Sequence, residues 1–246
     1  MIKGIDVSYA QEKVNWQKVK ADGVSFAFLR AGYGWDNGKQ IDKQFLNNVD
    51  GCKAVGMPYG VYHYSYARTA ADARKEAKFC VRLMEKVGAE PWLPVVYDLE
   101  EPFQLAMPAK QQLDMIEAFC EEIENAGYGP MLYMSASPLN ALRAYDAKRL
   151  EQWPIWVAHY GVAKPSYKGE WVVWQHTGTG KVDGIAGDVD LNWAEEEFWF
   201  PKPLEGDELK RLQAVITEYE AERNKVMWLL EEAEKLLAEA RKTMEV

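Results

Sequence analysis

Cysteine and histidine are scarce in this chain of 246 residues, which contains three of each. The cysteines are an odd number scattered through helical patterns, so they predict neither a disulfide framework nor a cluster of metal ligands. The histidines show no HExxH motif or other metal-ligand spacing. We therefore expect free, buried thiols in a reducing compartment, no metal and no other cofactor; the residues concerned are Cys52, Cys80, Cys120, His63, His159 and His176.

Positive charge is also in short supply, because 29 Lys and Arg stand against 38 Asp and Glu, which gives a net charge of −9. Nucleic-acid binding depends on clustered Lys and Arg, so nucleic acid is not expected as a partner. No apolar run approaches the roughly 18 residues that cross a bilayer. Met1 leads directly into IKGIDVS without a basic and then apolar leader. The sequence predicts a soluble protein without membrane contact, made in the cytoplasm without a signal peptide.

Short apolar segments rich in β-branched and aromatic residues alternate with helical patterns, which is typical of βα units around a parallel sheet. The predicted strands cover residues 2–7, 25–31, 58–66, 93–99, 130–135, 154–159, 170–176 and 185–190. The predicted helices lie between the earlier strands, at 15–22, 42–56, 70–88, 107–127 and 137–151. The last loops are too short for full helices, and 178–184 is interpreted as a flexible turn. The sequence therefore predicts an α/β fold, an irregular TIM-like (β/α)5(β)3 barrel.

The composition changes after residue 200, where Pro201 and Pro203 interrupt any regular element. From Leu209 to Met244, spacings of three and four follow a heptad pattern, which Arg223 weakens at one position. This pattern predicts a C-terminal coiled-coil-like helix that forms homo-oligomers; an amphipathic helix folded back onto the barrel would give the same pattern. The predicted domains are a catalytic barrel at 1–200, a linker at 201–204 and a helical oligomerisation segment at 205–246.

Four acids interrupt apolar runs where barrel strands are predicted to end, and active sites of such barrels lie at the carboxyl ends of the strands. Asp6 ends IKGID, Asp98 and Glu100 end LPVVYDLE, and Asp190 ends GIAGDVD. If the barrel closes, Asp6 on the first strand and Asp190 on the last become neighbours. Four carboxylates at one mouth suit a transition state in which positive charge develops on a sugar ring. The alternative is that Asp6 and Asp190 cap loops or pair with Arg30.

Asp98 and Glu100 form the most informative pair, because residues two apart on a strand point to the same side. Their Cα atoms are expected about 6.6 Å apart, so both carboxyls share one pocket. Leu99 between them points into the layer between strands and helices. Two like charges at this separation disfavour simultaneous ionisation, so one carboxyl keeps a proton near neutral pH, as a general acid requires. The sequence has no G-x-S-x-G elbow, P-loop or strand-linked G-x-G-x-x-G to suggest a competing chemistry.

Several motifs match a known family in the family's order, over residues 2 to about 195. They are GIDVSYAQ at 4–11, FLRAGYG at 28–34, GVYHYSYA at 60–67, VYDLE at 96–100, PIWVAHY at 154–160 and VWQHTGTGKVDGIAGDVDLN at 173–192. Through these motifs the chain resembles glycoside hydrolase family 25, the lysozymes of bacteriophage endolysins, of bacteria and of some fungi. The expected partner is bacterial cell-wall peptidoglycan, reached after release from the cell.

The resemblance implies hydrolysis of the β-1,4 bond between N-acetylmuramic acid and N-acetylglucosamine. Glu100 matches the proton donor of the family. Asp98 matches the partner that either attacks the anomeric carbon or orients the acetamido group of the substrate, and we favour the second role. Asp6 and Asp190 complete the family's acid pattern. Side chains that the resemblance assigns to substrate binding are Arg30, Tyr62, Tyr64, Tyr133, Trp156, Tyr160 and Gln175.

Two other functions remain open at this stage. A barrel could bind carbohydrate without cleaving it, although the pair Asp98 and Glu100 argues against this reading. A glycoside hydrolase acting on chitin-like chains would also end a strand with a carboxylate pair. The segment 205–246 resembles no wall-binding module, and the motifs do not separate a phage origin from a bacterial one.

Overall fold

The computed structural model describes residues 1–35 and 39–195, together with Arg223, Lys225 and Val226. The chain divides into two units, 1–200 and 201–246, and the elements below belong to the first. The predicted linker at 201–204 lies outside the described residues, as does nearly all of the predicted helix at 205–246. The coiled-coil assignment therefore stays a prediction.

Eight strands in the described residues close into a barrel in sequence order, from β1 next to β2 round to β8 next to β1. They are β1 (Ile2–Val7), β2 (Phe26–Tyr33), β3 (Tyr59–Tyr64), β4 (Val95–Asp98), β5 (Pro130–Ser135), β6 (Ile155–Ala158), β7 (Val173–Gly180) and β8 (Val189–Ala194). Strands β1 to β7 are parallel. Their carboxyl ends therefore meet at one mouth of the barrel.

Helices follow only the first five strands in the described part of the chain, which confirms the predicted (β/α)5(β)3 order. They are α1 (Trp16–Ala21), α2 (Phe45–Val55), α3 (Ala70–Val87), α4 (Pro102–Leu105), α5 (Ala109–Asn125) and α6 (Ala136–Leu150). The sequence analysis missed the short α4, which begins at a proline, a residue favoured in the first turn of a helix. None of the helices in this part of the chain is long and apolar enough to span a membrane.

The last two strands correct the prediction. The predicted strand 170–176 ends too early, because Thr177–Gly180 belong to β7 rather than to a flexible turn. The predicted strand 185–190 is a loop over most of its length, and β8 begins at Val189. Ile185 is apolar like a strand residue, but it lies in that loop and packs against the core from there.

The chain reverses direction in that loop, where Gly184 has a φ of +96° that favours glycine. Strand β8 consequently runs antiparallel to both β1 and β7. Its first residues, rather than its last, therefore lie at the mouth formed by the carboxyl ends of the other strands.

Two apolar layers hold the fold together. The larger layer lies between the barrel wall and the helices and includes the three cysteines, which are free and buried as predicted. The smaller layer fills the barrel, where Phe28 stacks on Trp156 with ring centroids 4.5 Å apart. Gly60 makes room for that ring, because a Cβ there would lie 2.4 Å from Phe28. The barrel is therefore a packed core, and Trp156 forms the floor of its mouth.

Candidate active site

All eleven side chains predicted for the site line one cavity of about 280 Å³ at the mouth of the barrel, which we call the catalytic pocket. The acids are Asp6, Asp98, Glu100 and Asp190, and the others are Arg30, Tyr62, Tyr64, Tyr133, Trp156, Tyr160 and Gln175. Ser8 also lines the pocket and was not predicted. The structure thus brings the predicted residues together, while their individual roles stay predictions.

Asp6 and Asp190 face each other across β1 and β8, where they are register partners. Their carboxyl groups are close enough to influence each other's ionisation. Asp190 reaches the mouth at the beginning of an antiparallel strand, not at the end of a parallel one as predicted. Burial raises the pKa of both carboxyls, and the charge of Asp190 raises the pKa of Asp6 further. This pair therefore favours sharing one proton.

Amide side chains hold Asp6 in place. Its Oδ2 accepts hydrogen bonds from Gln175 Nε2 at 3.0 Å and from Asn192 Nδ2 at 2.8 Å. Asn192 in turn accepts a bond from Trp156 Nε1 at 2.8 Å. The sequence analysis missed Asn192, although it lies two residues after Asp190 and so shares the inward face of the strand.

Asp98 is the last residue of β4 and is 5% exposed. Its Oδ1 atom is buried and has no hydrogen-bond partner among the described residues. Burial raises the pKa of Asp98 well above its usual value, and the neighbouring charges of Glu100 and Asp6 raise it further. The Oδ1 atom of Asp98 is thus available to a donor on a bound substrate.

Glu100 lies two residues beyond Asp98, and Leu99 between them is fully buried in the layer under the helices, as predicted. Burial raises the pKa of Glu100, and the charges of Asp190 and Glu101 add to that effect. The nearby phenols of Tyr133 and Tyr64 favour the ionised carboxylate and oppose the rise. The net direction is upward, so Glu100 holds its proton to a higher pH than an ordinary glutamate.

Gln175 joins the two sides of the catalytic pocket. Its Oε1 accepts hydrogen bonds from Tyr133 at 2.7 Å and from Tyr160. Its Nε2 donates to Asp6, so Gln175 connects Asp6 with Tyr133 and Tyr160. The tyrosines therefore orient polar groups and do not only present aromatic faces.

Arg30 does not pair with Asp6 or Asp190, which was the structural alternative for those acids. Its Nε donates to Asp42 Oδ2 at 2.8 Å instead. Asp42 also accepts bonds from the backbone amides of Tyr9 and Gln44, at 3.0 and 2.8 Å. The sequence analysis did not identify Asp42 as the partner of Arg30, because the two are separated by a loop.

A buried polar network lies behind the catalytic strand ends and was also missed. Glu76 on α3 is fully buried and accepts hydrogen bonds from Ser65 Oγ at 2.7 Å and from the Tyr66 amide at 2.8 Å. Ser65 Oγ also lies 2.9 Å from the Tyr97 hydroxyl and 2.9 Å from Gln104 Nε2. Burial raises the pKa of Glu76 to about 7. The network joins the end of β3, which carries Tyr64, to the segment after β4, which carries Glu100.

The fold and the pocket together define a barrel that uses carboxyl groups for acid–base chemistry on a sugar. Paired carboxyls with raised pKa values supply a general acid, and the surrounding negative charge stabilises an oxocarbenium-like transition state. These are the features of a glycoside hydrolase.

Comparison with known proteins agrees with this class. Residues 5–185 match the model of glycosyl hydrolases family 25. Uncharacterized protein YegX of Escherichia coli O157:H7 is 33% identical over 199 residues, which cover 78% of this chain and 68% of that protein. Lysozyme M1 of Streptomyces globisporus is 30% identical over 200 residues, with 78% and 67% covered. The crystal structure of the CTP1L endolysin superposes with a TM-score of 0.65 at 26% identity, covering 80% of this chain and 68% of that one.

The chain belongs to glycosyl hydrolase family 25. It is a glycoside hydrolase of the lysozyme and endolysin type, and peptidoglycan of the bacterial cell wall is its substrate. The resemblance found in the sequence motifs is thereby confirmed.

Proposed function

We propose that this enzyme is an N-acetylmuramidase in which Glu100 is the general acid and Asp98 orients the acetamido group of the substrate. The bond cleaved is the β-1,4 link from N-acetylmuramic acid to N-acetylglucosamine. The observation that carries this proposal is the different environment of two carboxyls in one pocket. Asp98 is almost fully buried and its Oδ1 has no partner in the part of the chain that the structure describes, whereas Glu100 is partly exposed and lies near two phenols.

Glu100 suits the role of proton donor because its raised pKa keeps the carboxyl protonated in a larger fraction of molecules near neutral pH. Its partial exposure lets it reach the oxygen of the leaving sugar. After the bond breaks, the resulting carboxylate is positioned to take a proton from the incoming water.

Asp98 suits the role of orienting group because its Oδ1 lacks a partner among the described residues. An acetamido N–H is the type of donor that satisfies a buried carboxylate oxygen. With that bond made, the carbonyl oxygen of the acetamido group is held near the anomeric carbon and attacks it. Direct attack by Asp98 is the competing route, and it would leave a sugar covalently bound to the enzyme.

Asp6 and Asp190 contribute negative charge and geometry in this scheme. Their shared proton leaves net negative charge beside the sugar ring, which favours the positively charged transition state. Asp6 also holds Gln175, which positions Tyr133 next to Glu100. We assign these two acids supporting roles.

Analysis of the new reducing ends in digested peptidoglycan tests the function. Mass spectrometry should find N-acetylmuramic acid at those ends. N-acetylglucosamine there would indicate a glucosaminidase, cleavage of chitin in preference to peptidoglycan would favour the chitin-type hydrolase, and binding without new ends would indicate a carbohydrate-binding barrel.

We also propose that residues 205–246 form a helix that assembles the enzyme into homo-oligomers. The support is the heptad spacing from Leu209 to Met244, which gives a helix an apolar stripe that needs a partner. Several barrels in one particle would raise their effective concentration on a polymeric substrate. Light scattering of the full chain and of a chain ending at Pro203 tests the proposal. A monomeric full-length protein at micromolar concentration contradicts it.

A further inference from the structure

A cavity of about 380 Å³ adjoins the catalytic pocket, and we call it the serine pocket. Three of its lining residues also line the catalytic pocket, namely Glu100, Tyr133 and Tyr160. The lining residues that the two cavities do not share are Ser135, Ala136, Ser137, Ala158, His159 and Ser166. The two cavities therefore meet at Glu100, and the serine pocket extends from there toward the carboxyl ends of β5 and β6.

The positions of Asp98 and Glu100 give the active site a direction. Asp98 lines the catalytic pocket but not the serine pocket, so the sugar whose acetamido group it orients lies in the catalytic pocket. Glu100 protonates the oxygen that leaves, and it therefore stands between that sugar and the leaving sugar. Another cavity beside the catalytic pocket shares Arg30 and Tyr64 with it and has neither carboxyl of this pair in its lining. The serine pocket is thus the side on which the leaving sugar lies.

His159 in the serine pocket is held at its backbone and at its ring. Its amide donates to the Gln175 carbonyl at 3.0 Å, and its carbonyl accepts from Trp174 Nε1 at 2.8 Å. The amide of Ser166 donates to His159 Nδ1 at 3.0 Å, and the Ser166 hydroxyl lies 3.2 Å from the same nitrogen. A neutral imidazole whose Nδ1 accepts a hydrogen bond carries its proton on Nε2. The ring therefore offers Nε2–H as its donor.

This Nε2–H group is left for a ligand, because the hydrogen bonds of the His159 ring all involve Nδ1 in the described part of the chain. Asn140 fixes the loop that carries Ser166, since its Nδ2 donates to the Ser166 carbonyl at 3.0 Å and its Oδ1 accepts from the Lys168 amide at 2.9 Å. Asn140 belongs to α6, whose first residues form another wall of the serine pocket. The donor is therefore part of a preformed site.

The other walls of the serine pocket suit an uncharged sugar. Among the described residues, its lining contains no Lys, Arg or Asp, and Glu100 is its one carboxyl group. The three serines supply hydroxyl groups, and Ala136 and Ala158 are small and buried. Tyr160 is 49% exposed, and its hydroxyl donates to Gln175 Oε1, which fixes an aromatic ring between the two cavities. Fixed polar groups beside an aromatic ring are suited to a neutral ligand with several hydroxyl groups.

We propose that the serine pocket binds the leaving sugar, N-acetylglucosamine, and that His159 is a specificity-determining residue that donates a hydrogen bond from Nε2 to an oxygen of that sugar. This inference rests on the proposed muramidase function, which it deepens. The contact forms only when the leaving group is a sugar. His159 therefore favours cleavage of a glycan chain over cleavage of other glycosides of the same muramic acid.

Two substrates with the same attacked sugar and different leaving groups test this contact. One is the tetrasaccharide in which N-acetylglucosamine and N-acetylmuramic acid alternate twice, and the other is the dinitrophenyl glycoside of the corresponding disaccharide. His159→Asn keeps an oxygen near the position of Nδ1 for the Ser166 amide but has no donor at the position of Nε2. The ratio of kcat/KM for the tetrasaccharide to kcat/KM for the aryl glycoside should fall about threefold to tenfold, as expected for one hydrogen bond. His159→Gln, whose amide reaches the position of Nε2, should restore most of the ratio.

The ratio is insensitive to partial unfolding, because both substrates report on the same fraction of active protein. The matched control is Lys164→Gln, an exposed residue of the same loop that is not part of the pocket lining, and it should leave the ratio unchanged. An unchanged ratio in His159→Asn overturns the inference, whether both constants fall together or neither falls.

NMR of ¹⁵N-labelled histidine tests the contact without turnover, since the chain has three histidines. In the Glu100→Gln protein, His159 should carry its proton on Nε2, and saturating tetrasaccharide should shift its imidazole signals more than those of His63 and His176. A proton on Nδ1, or no shift at His159, contradicts the proposed contact. Failure of the muramidase proposal would appear separately, as N-acetylglucosamine at the new reducing ends that the wild-type enzyme produces.

Discussion

The two carboxylate pairs of the catalytic pocket are built in different ways. Asp6 and Asp190 face each other across an antiparallel pair of strands, and Gln175 and Asn192 hold Asp6 in place. Asp98 ends the parallel strand β4, and Glu100 lies two residues beyond it. Asp98 has an oxygen without a partner among the described residues, and the two phenols next to Glu100 donate their protons to Glu101 and Gln175. The pair with protein partners supports the site, and the pair with spare hydrogen-bonding capacity is the one left to meet the substrate.

Replacing Glu100 should have the largest effect. Glu100→Gln keeps the shape of the side chain but delivers no proton, so kcat on peptidoglycan should fall about 10²-fold or more. The melting curve should stay close to that of the wild type, because the amide has nearly the same shape as the carboxyl group. Near-normal lysis by a folded variant would remove Glu100 from the role of general acid.

Replacing Asp98 should have the next largest effect. Asp98→Asn should reduce kcat about 10²-fold, because the amide orients an acetamido group poorly and carries no charge for the transition state. A fluoro-sugar probe that traps direct nucleophiles should leave the wild-type enzyme unlabelled, since the substrate-assisted route forms no bond from sugar to enzyme. Mass spectrometry showing a sugar on Asp98 would establish direct attack instead.

Replacing one acid of the supporting pair, Asp6 and Asp190, should reduce activity less. Asp190→Asn keeps a hydrogen-bonding partner for Asp6 and removes one charge from the pocket. We expect kcat/KM to fall about tenfold, which corresponds to a loss of about 1.4 kcal/mol in transition-state stabilisation. A loss as large as that of Glu100→Gln would mean that the two pairs do not differ in the way we propose.

The pH dependence of activity tests the role of Glu100 as the general acid. Activity should fall as pH rises through the raised pKa of Glu100, because the general acid loses its proton there. Tyr133→Phe removes a phenol that favours the ionised carboxylate, so the pKa of Glu100 should rise and the basic limb of kcat/KM should move to higher pH. Tyr62 lines the same pocket, but its phenol does not shift the pKa of Glu100, so the basic limb of the control variant Tyr62→Phe should stay in place. A shift to lower pH in Tyr133→Phe would contradict the effect assigned to its phenol.

The sequence was informative where local periodicity decides the geometry. Asp98 and Glu100 line one pocket as predicted, although β4 ends at Asp98 and Glu100 lies beyond the strand on which it was expected. Asp190 reached the predicted pocket although its strand was assigned the wrong bounds and direction, since a hairpin brings the first residues of β8 to the same mouth. The barrel order followed from the alternation of strands and helices.

The missed residues depend on contacts between distant parts of the chain. Asp42 lies in a loop and pairs with Arg30, and no local sequence pattern predicts that ion pair. Glu76 lies on a helix, where a charged residue is ordinarily solvated, yet it is fully buried. Asn192 was accessible in principle, because it lies two residues from Asp190, but only a correct strand direction places it beside Asp6.

An activated substrate tests most directly whether Glu100 is the general acid and Asp98 the orienting group. A dinitrophenyl glycoside of a muramic-acid disaccharide has a leaving group that departs without a proton, so it does not need a general acid. For Glu100→Gln, kcat/KM for release of dinitrophenolate should stay within about tenfold of the wild type, because this constant reports the step that breaks the bond, whereas Asp98→Asn should remain about 10²-fold impaired. Equal impairment of Glu100→Gln on the activated and the natural substrates would contradict the account.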